Sequence, residues 1–328
     1  MYEKIVDLIR VSKDFVLTSH VNPDGDSIGS EIAFYKYLEK TGKNAKIINY
    51  SETPYNYTFL DTNGIIEKFD ENRHGKLIEN ADVVLILDTN EYSRLRTMEP
   101  FVKSSKAKKV CIDHHAGING SSFDMYISDT SSPATAEILY KFFEKINADD
   151  LIDKQMAVAL YTAIMTDTGS FRFPRTSAES HRIASRLIEK GVDPFEVYSE
   201  VYNQSAPGRL KLLARFLNNL ETAFSGKLVY SYLKNNDFIE TGTNEMDTDG
   251  FSGNLMSVAG VKVCIVILET PKGIKLSFRS NDNIKVNELA KEFAGGGHIN
   301  AAGAFVPDGN FENIKNEVIS KAEKFLPD

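Results

Sequence analysis

The sequence predicts an α/β protein: a doubly wound parallel sheet over residues 1–185, followed by a smaller α/β domain. Three observations predict it. Apolar, β-branched runs at 15–19, 45–50, 82–87 and 108–112 alternate with segments of helical period, the pattern of a parallel sheet covered by helices. Three of these runs lead directly into acid or histidine, at His20, at Asp88 and at Asp113-His114-His115. In open α/β sheets ligands sit at that carboxyl edge of the strands. Beyond about residue 222 the spacing becomes strand-rich, which marks a second domain.

Taken in order, residues 2–14 have the period of an amphipathic helix and 15–19 form the first strand. Asp26-Ser27-Ile28-Gly29-Ser30 opens a helix that runs to about Lys40 and stops at Thr41-Gly42. Residues 45–50 and 82–87 are the second and third strands, with 51–64 as a loop, and 108–112 is the fourth. Ser132-Pro133 reads as a helix start, serine at the N-cap and proline in the first turn, with the helix reaching about Ile146. Residues 154–165 are apolar with helical period and lead into Thr166-Asp167-Thr168-Gly169. The stretch 178–222 is helical, broken at Pro194, Pro207 and Gly208, and its part 186–222 is expected to link the domains. In the second domain, 223–328, strands are expected at 228–233, 261–268 and 274–278, the last after a turn at Gly273. A helix at 286–293, a glycine turn, a strand at 301–306 and a closing helix at 310–325 complete it.

Composition narrows the function. A chain of 328 residues, 42% hydrophobic, can bury a full core, and 26% charged residues exclude global disorder. No run approaches the ~18 apolar residues of a membrane span. The first residues alternate acids with apolar side chains and lack a secretory signal's apolar core, so a cytoplasmic protein is expected. Cys111 and Cys264 fall in expected buried strands and read as reduced core thiols. The net charge of −8 argues against a long polyanion lying across the surface, which needs a basic track. A short anionic substrate remains compatible. A homodimer is compatible with this composition.

The acidic and imidazole residues carry the chemistry. His20, Asp24, Asp26, Asp88, Asp113, His114, His115 and Asp167 are expected to meet at one sheet edge. Carboxylates gathered there repel one another and protonate unless cations are present. Imidazole with carboxylate, and no thiolate, favours Mn²⁺, Mg²⁺, Zn²⁺ or Fe²⁺. A pair of such ions predicts a hydrolase of phosphate esters. Gly25 between Asp24 and Asp26 permits a sharp turn, so the two acids can address neighbouring ions, while the following helix start favours an anion. The plainer reading of Asp24 and Asp26 alone is that they cap that helix, and Asp88 has the same alternative. Adjacent side chains diverge, so one of His114 and His115 can bind metal while the other faces substrate, with Asp113 orienting an imidazole.

The run Ser19-His20-Val21-Asn22-Pro23-Asp24-Gly25-Asp26, then Leu87-Asp88-Thr89, Asp113-His114-His115 and Thr166-Asp167-Thr168-Gly169 resemble, in order, the four motifs of the DHH phosphoesterase superfamily. Phe278-Arg279-Ser280 and Gly295-Gly296-Gly297-His298, with Ala301-Ala302-Gly303, resemble its C-terminal DHHA1 domain. The resemblance covers nearly the whole chain and looks most like the stand-alone bacterial oligoribonuclease (nanoRNase) and phosphoadenosine-phosphate (pAp) phosphatase branch. It implies two Mn²⁺ ions, one held by His20, Asp24 and Asp88 and the other by Asp26, Asp88, His114 and Asp167. It implies that His115, with Asp113, serves catalysis at the scissile phosphate. Substrate binding falls to Arg279, Ser280, Gly295, Gly296, Gly297 and His298, with Arg94 as a further phosphate contact. The substrates implied are short RNA oligonucleotides and pAp.

Competing readings are a phosphodiesterase of cyclic dinucleotides or their linear products, an inorganic pyrophosphatase, a processive single-strand exonuclease and a non-catalytic RNA-binding protein. The exonuclease needs a basic channel that this acidic composition does not offer. The non-catalytic reading predicts a lost metal ligand, and none is lost. His74 and His181 lack partners in sequence and read as surface or core residues, and Tyr50, Tyr55, Tyr57 and Phe59 read as packing against the sheet, with stacking on a base as the alternative.

Overall fold

The computed structural model describes residues 2–281 and 284–326. The chain divides between Gln204 and Ser205 into two compact units. Of the stretch expected to link the domains, residues 186–204 belong to the first unit and 205–222 to the second.

In the first unit the elements run α1 (Tyr2–Val11), β1 (Asp14–Thr18), α2 (Gly25–Lys40), β2 (Asn44–Asn49), β3 (Ile66–Lys68), α3 (Glu71–Asn80) and β4 (Val83–Leu87). They continue with α4 (Glu99–Ser104), β5 (Lys108–Asp113), β6 (Met125–Ser128), α5 (Thr135–Lys145), α6 (Lys154–Asp167), α7 (Ala178–Glu189) and α8 (Pro194–Tyr202). The six strands form a parallel sheet in the order β3-β2-β1-β4-β5-β6. Chain direction across the sheet reverses between β1 and β4, which makes their carboxyl ends the topological switch point.

Strand alternation decides which side chain meets which helix. Phe15, Leu17, Leu85, Leu87, Val110 and Ile112 face one side, packed with Ile28 and Ile32 of α2 and with apolar residues of α5 and α6. Val16, Val84, Ile86 and Cys111 face the other, against Ile78 of α3 and Val102 of α4. Both sides of β4 are therefore covered, and all five of its residues are buried. Phe34 of α2 lies 5.9 and 6.0 Å, ring to ring, from Phe142 and Phe143 of α5. Aromatic pairs of this kind contribute roughly 0.5–1.5 kcal/mol beyond the area they bury.

Four local expectations need correction. The sheet gains β3 and β6 at its two edges, strands of three and four residues that are too short to show a period. The loop at 51–64 holds a 3-10 turn, Tyr55–Leu60, in which Tyr57 and Phe59 pack against the core while Tyr55 stays exposed. Ser132 is not a helix cap: α5 begins at Thr135 behind Ala134, and the Ser132 hydroxyl donates to Asp129 instead. The first helix stops at Val11, because residues from Asp14 onward are drawn into β1.

The second unit contains α9 (Pro207–Asn218), β7 (Glu221–Ala223), β8 (Leu228–Leu233), α10 (Asn235–Thr241), α11 (Phe251–Met256), β9 (Val263–Thr270) and β10 (Gly273–Ser280). It ends with α12 (Val286–Lys291), β11 (Gly296–His298), β12 (Ala301–Pro307) and α13 (Phe311–Ala322). Its sheet order is β11-β12-β10-β9-β8-β7, antiparallel except where β8 and β9 run parallel. Apolar residues of α12 and α13 cover one face, and those of α9, α10 and α11 the other. Among the described residues, no helix is long and apolar enough to cross a membrane.

Candidate metal centre

Strands β1, β4 and β5 lie side by side, with Thr18 opposite Ile86 and Leu87 opposite Ile112, so the residues that follow them emerge at one level. Helix α2 starts at the same edge. It lies so close to α6 that a Cβ on Gly25 would stand 2.4 Å from Thr166 Oγ1, and one on Gly29 2.3 Å from the Ala159 carbonyl. Only glycine permits that approach. It brings Asp26, in the first turn of α2, to the level of Asp167, the last residue of α6.

Three groups of ligating atoms result, each within 4.8 Å: His20 with Asp24 and Asp88, Asp26 with His114 and Asp167, and Asp88 with His114 and His115. Asp88 joins them. Its backbone takes a left-handed conformation (φ 59°) directly after β4, which aspartate tolerates better than most residues. One carboxylate oxygen, Oδ2, is 3.3 Å from His20 Nε2, and the other, Oδ1, is 3.5 Å from His114 Nε2. His114 Nε2 also lies 3.3 Å from Asp167 Oδ2 and 3.9 Å from Asp26 Oδ2.

Asp24 caps the helix and also faces the cluster. Its Oδ1 caps α2, accepting from the Asp26 and Ser27 amides, while Oδ2 lies 3.8 Å from His20 Nε2. Asp26 is held from the far side by the start of α5, where the Thr135 and Ala136 amides donate to its two oxygens at 2.6 and 3.0 Å. Asp113 turns away from the cluster. It is fully buried, holds His115 Nδ1 at 2.7 Å, and accepts from Asn90 Nδ2 at 2.7 Å. His115 is partly exposed, with its ring 4.4 Å from that of His114. The Arg94 carbonyl accepts from the Val21 amide, and the Arg94 charge opposes protonation of His20.

Electrostatics shows what the donor set requires. Burial, then the Asp88 and Asp167 charges, pushes the Asp26 carboxyl well above its ordinary range. Burial raises Asp167 to about 7. Burial opposes ionisation of Asp88 too, but hydrogen bonds from His114 and His20 outweigh it and hold this carboxyl well below the usual range. His114 is correspondingly raised to about 10 by Asp88 and Asp26, against its own desolvation. Four crowded carboxylates resist ionising together, and oxygen and imidazole donors in this number fit divalent ions.

Three contributors escaped the sequence reading. The Ser27 hydroxyl lies 2.7 Å from Asp88 Oδ2 and 2.9 Å from His20 Nε2. Thr135 Oγ1 donates to Asp88 Oδ1 at 3.2 Å. Asn90 also donates to the His115 carbonyl. Ser27 and Asn90 sit one and two residues from named acids, which was the available signal; Thr135, remote in sequence, had none.

In the second unit, Arg279 and Ser280 end β10. Arg279 Nη1 donates to the Phe278 carbonyl, and the Ser280 hydroxyl donates to the Ile284 carbonyl while accepting from Asn300. The expected glycine turn is instead an edge strand. Gly296, Gly297 and His298 pair with Gly303, Ala302 and Ala301, and the reversal is made by Ile299 and Asn300. Gly297 has φ 142°, and a Cβ there would meet the Ala301 carbonyl at 2.6 Å, so the glycines serve close cross-strand approach. His298 is exposed. Of the other histidines, His74 is buried with Nε2 3.2 Å from Glu67, and His181 lies at the surface against Phe171. A cavity of about 540 Å³, lined by Tyr35, Lys43 and Lys46 among others, lies by the amino ends of β1 and β2 and includes none of the clustered residues.

Residues 14–164 match the DHH family, N-terminal domain, and residues 225–326 match the DHHA1 domain. The chain is 31% identical over 321 residues to the bifunctional oligoribonuclease and PAP phosphatase NrnA of Thermus thermophilus, covering 97% of this chain and 92% of that one. It is 25% identical to the protein of the same name from Bacillus subtilis, covering 93% of each. The crystal structure of an exopolyphosphatase-related protein from Bacteroides fragilis superposes with a TM-score of 0.94 at 29% identity, over 99% of this chain and 96% of that one. With both domains matched and a relative this similar along its length, the chain belongs to the DHH/DHHA1 phosphoesterase family and is a hydrolase.

Proposed function

We propose that this protein hydrolyses very short oligoribonucleotides to 5′-mononucleotides and removes phosphate from pAp, using two divalent ions, Mn²⁺ in the first instance. The observation that carries the reading is the divided carboxylate of Asp88, one oxygen toward His20 and the other toward His114. In this reading His20, Asp24 and Asp88 hold one ion, and Asp26, Asp88, His114 and Asp167 the other. When bound, such a pair supplies Lewis-acid stabilisation and activates water at neutral pH. The substrate class is supported by the two relatives named as oligoribonuclease and PAP phosphatase.

The chain's own residues complete the chemistry. Asp113 and Asn90 fix the tautomer and direction of His115, whose Nδ1 is engaged so that Nε2 is left for the scissile phosphate or its leaving oxygen. Asp26, anchored by the α5 amides, keeps its place without a flexible rotamer. Arg94 contributes positive charge beside His20. On the second unit, Arg279 and the exposed His298, with Ser280 and the Gly295–Gly297 backbone, grip the nucleotide.

The test is metal-stripped protein, supplemented with Mn²⁺ or Mg²⁺ and offered a dinucleotide, a pentanucleotide, pAp, a cyclic dinucleotide and pyrophosphate in parallel. Dinucleotide and pAp should be consumed with Mn²⁺ and spared under chelation. Full activity in the metal-free protein, or preference for the cyclic dinucleotide, would overturn the proposal.

A further inference from the structure

His20 is carried by a segment without regular structure, between β1 and α2, so its position depends on what holds that backbone. Three amides are held from elsewhere in the chain. Ser19 N donates to Asn49 Oδ1 at 3.2 Å, Val21 N to the Arg94 carbonyl at 2.8 Å and Asn22 N to Ser51 Oγ at 3.0 Å. The ring then folds onto its own chain, Nδ1 lying 2.9 Å from the Val21 carbonyl, which turns Nε2 toward Asp88 and Asp24.

The Ser19 contact differs from the other two because a fully buried side chain makes it. Asn49 ends β2 and is 0% exposed. Its carbonyl can point at Ser19 only if its amino group finds an acceptor on the other side, and Glu31 Oε2 provides one at 2.7 Å. Glu31 is itself 0% exposed, between Ile28 and Ile32 in the same helix. Burial raises its carboxyl to about 8. A carboxyl in such a place is costly, and an apolar residue would pack there without that cost. Glu31 stands one helical turn after Ser27, whose hydroxyl touches both His20 and Asp88, so one face of α2 supports the imidazole directly and its backbone through Asn49.

We propose that Glu31 and Asn49 are positioning residues for His20, a buried relay from α2 through the end of β2 that fixes this imidazole for metal binding. The inference rests on the metal-centre reading above. Outer-shell partners of metal ligands typically govern affinity by about 10- to 100-fold. Mn²⁺ binding to metal-stripped protein, followed by calorimetry and by the electron paramagnetic resonance signal of free Mn²⁺, is the readout. Glu31→Leu fills the volume but accepts no hydrogen bond, and should weaken one of the two bound equivalents by about 10- to 100-fold while sparing the other. Glu31→Gln keeps an acceptor for Asn49 and should restore parental affinity. Asn49→Ala removes the acceptor of Ser19 N itself and should reproduce the Glu31→Leu loss. Parental affinity in Glu31→Leu, failure of Glu31→Gln to rescue, or unfolding of both Glu31→Leu and Asn49→Ala would overturn the proposal. Absence of Mn²⁺ binding by the parent would instead overturn the metal-centre reading.

Discussion

Replacing Glu31 by glutamine should change how stability depends on pH, and the size of the effect follows from the structure. The carboxyl ordinarily titrates near 4.5 and is raised to about 8 in the folded protein, chiefly by burial and against the Asn49 hydrogen bond. Between these values the folded state binds more protons than the unfolded state, so stability falls as pH rises through this window. The cost is absent below 4.5, grows by about 1.4 kcal/mol per pH unit, and reaches roughly 5 kcal/mol by pH 8. Neutral glutamine has no such titration. The difference in unfolding free energy, Glu31→Gln minus parent, should therefore increase steadily by about 2.5 kcal/mol between pH 5 and pH 7. Urea unfolding in the presence of a chelator is the assay, because ions bound at neighbouring His20 and Asp88 would add their own pH dependence. Groups that do not interact with residue 31 cancel in the difference, while the His20 and Asp88 charges, which act on Glu31, leave its sign unchanged because burial is the larger cause. A difference that stays constant across that range would refute the reasoning, since it would mean that Glu31 ionises in the folded protein as it does in the unfolded chain.

Three further outcomes are expected. Asp88→Ala should lower turnover more than any other single ligand change, by more than about 100-fold, because both of its oxygens serve the cluster; turnover within ten-fold of the parent would remove it from the bridging role. Asp113→Asn should lower kcat by roughly 100-fold or more with KM little changed, since it disturbs the tautomer of His115 without touching the proposed metal ligands; an unchanged kcat would assign Asp113 to folding. His298→Ala should raise KM for a dinucleotide and for pAp while leaving hydrolysis of a small chromogenic phosphodiester intact; equal loss of both reactions would make this exposed histidine part of catalysis.

Much of the first unit was legible because its strands are short apolar runs that end in polar residues, a contrast visible along the chain. Val83–Leu87 followed by Asp88 is such a case, and so is Lys108–Asp113 followed by two histidines. The edge strands Ile66–Lys68 and Met125–Ser128 were not legible, since three or four residues with mixed exposure carry no recognisable period. Ser132-Pro133 carried a helix-start signal that a nearby acid overrode: Asp129 takes the serine hydroxyl, and the helix begins three residues later. The glycines before His298 looked like a turn because glycine is commonest there. Their pairing with β12 makes them a strand that needs small residues for close approach.

By itself the sequence determined the donor types, their order along the chain and the sheet edge to which they belong, because residue chemistry and burial period are local properties. Tertiary structure decided which donors come together. The left-handed turn at Asp88 divides its two oxygens between His20 and His114, and the glycine-permitted contact of α2 with α6 brings Asp26 to Asp167. It also decided that Asp24 caps a helix and faces His20 at once, that Thr135 reaches Asp88 from a remote segment, and that Asn90 meets Asp113 of the neighbouring strand. The physical reason is common to all of these. Each depends on a distance between chain segments set by strand register and helix packing, and neither is written in the spacing of residues along one strand or helix.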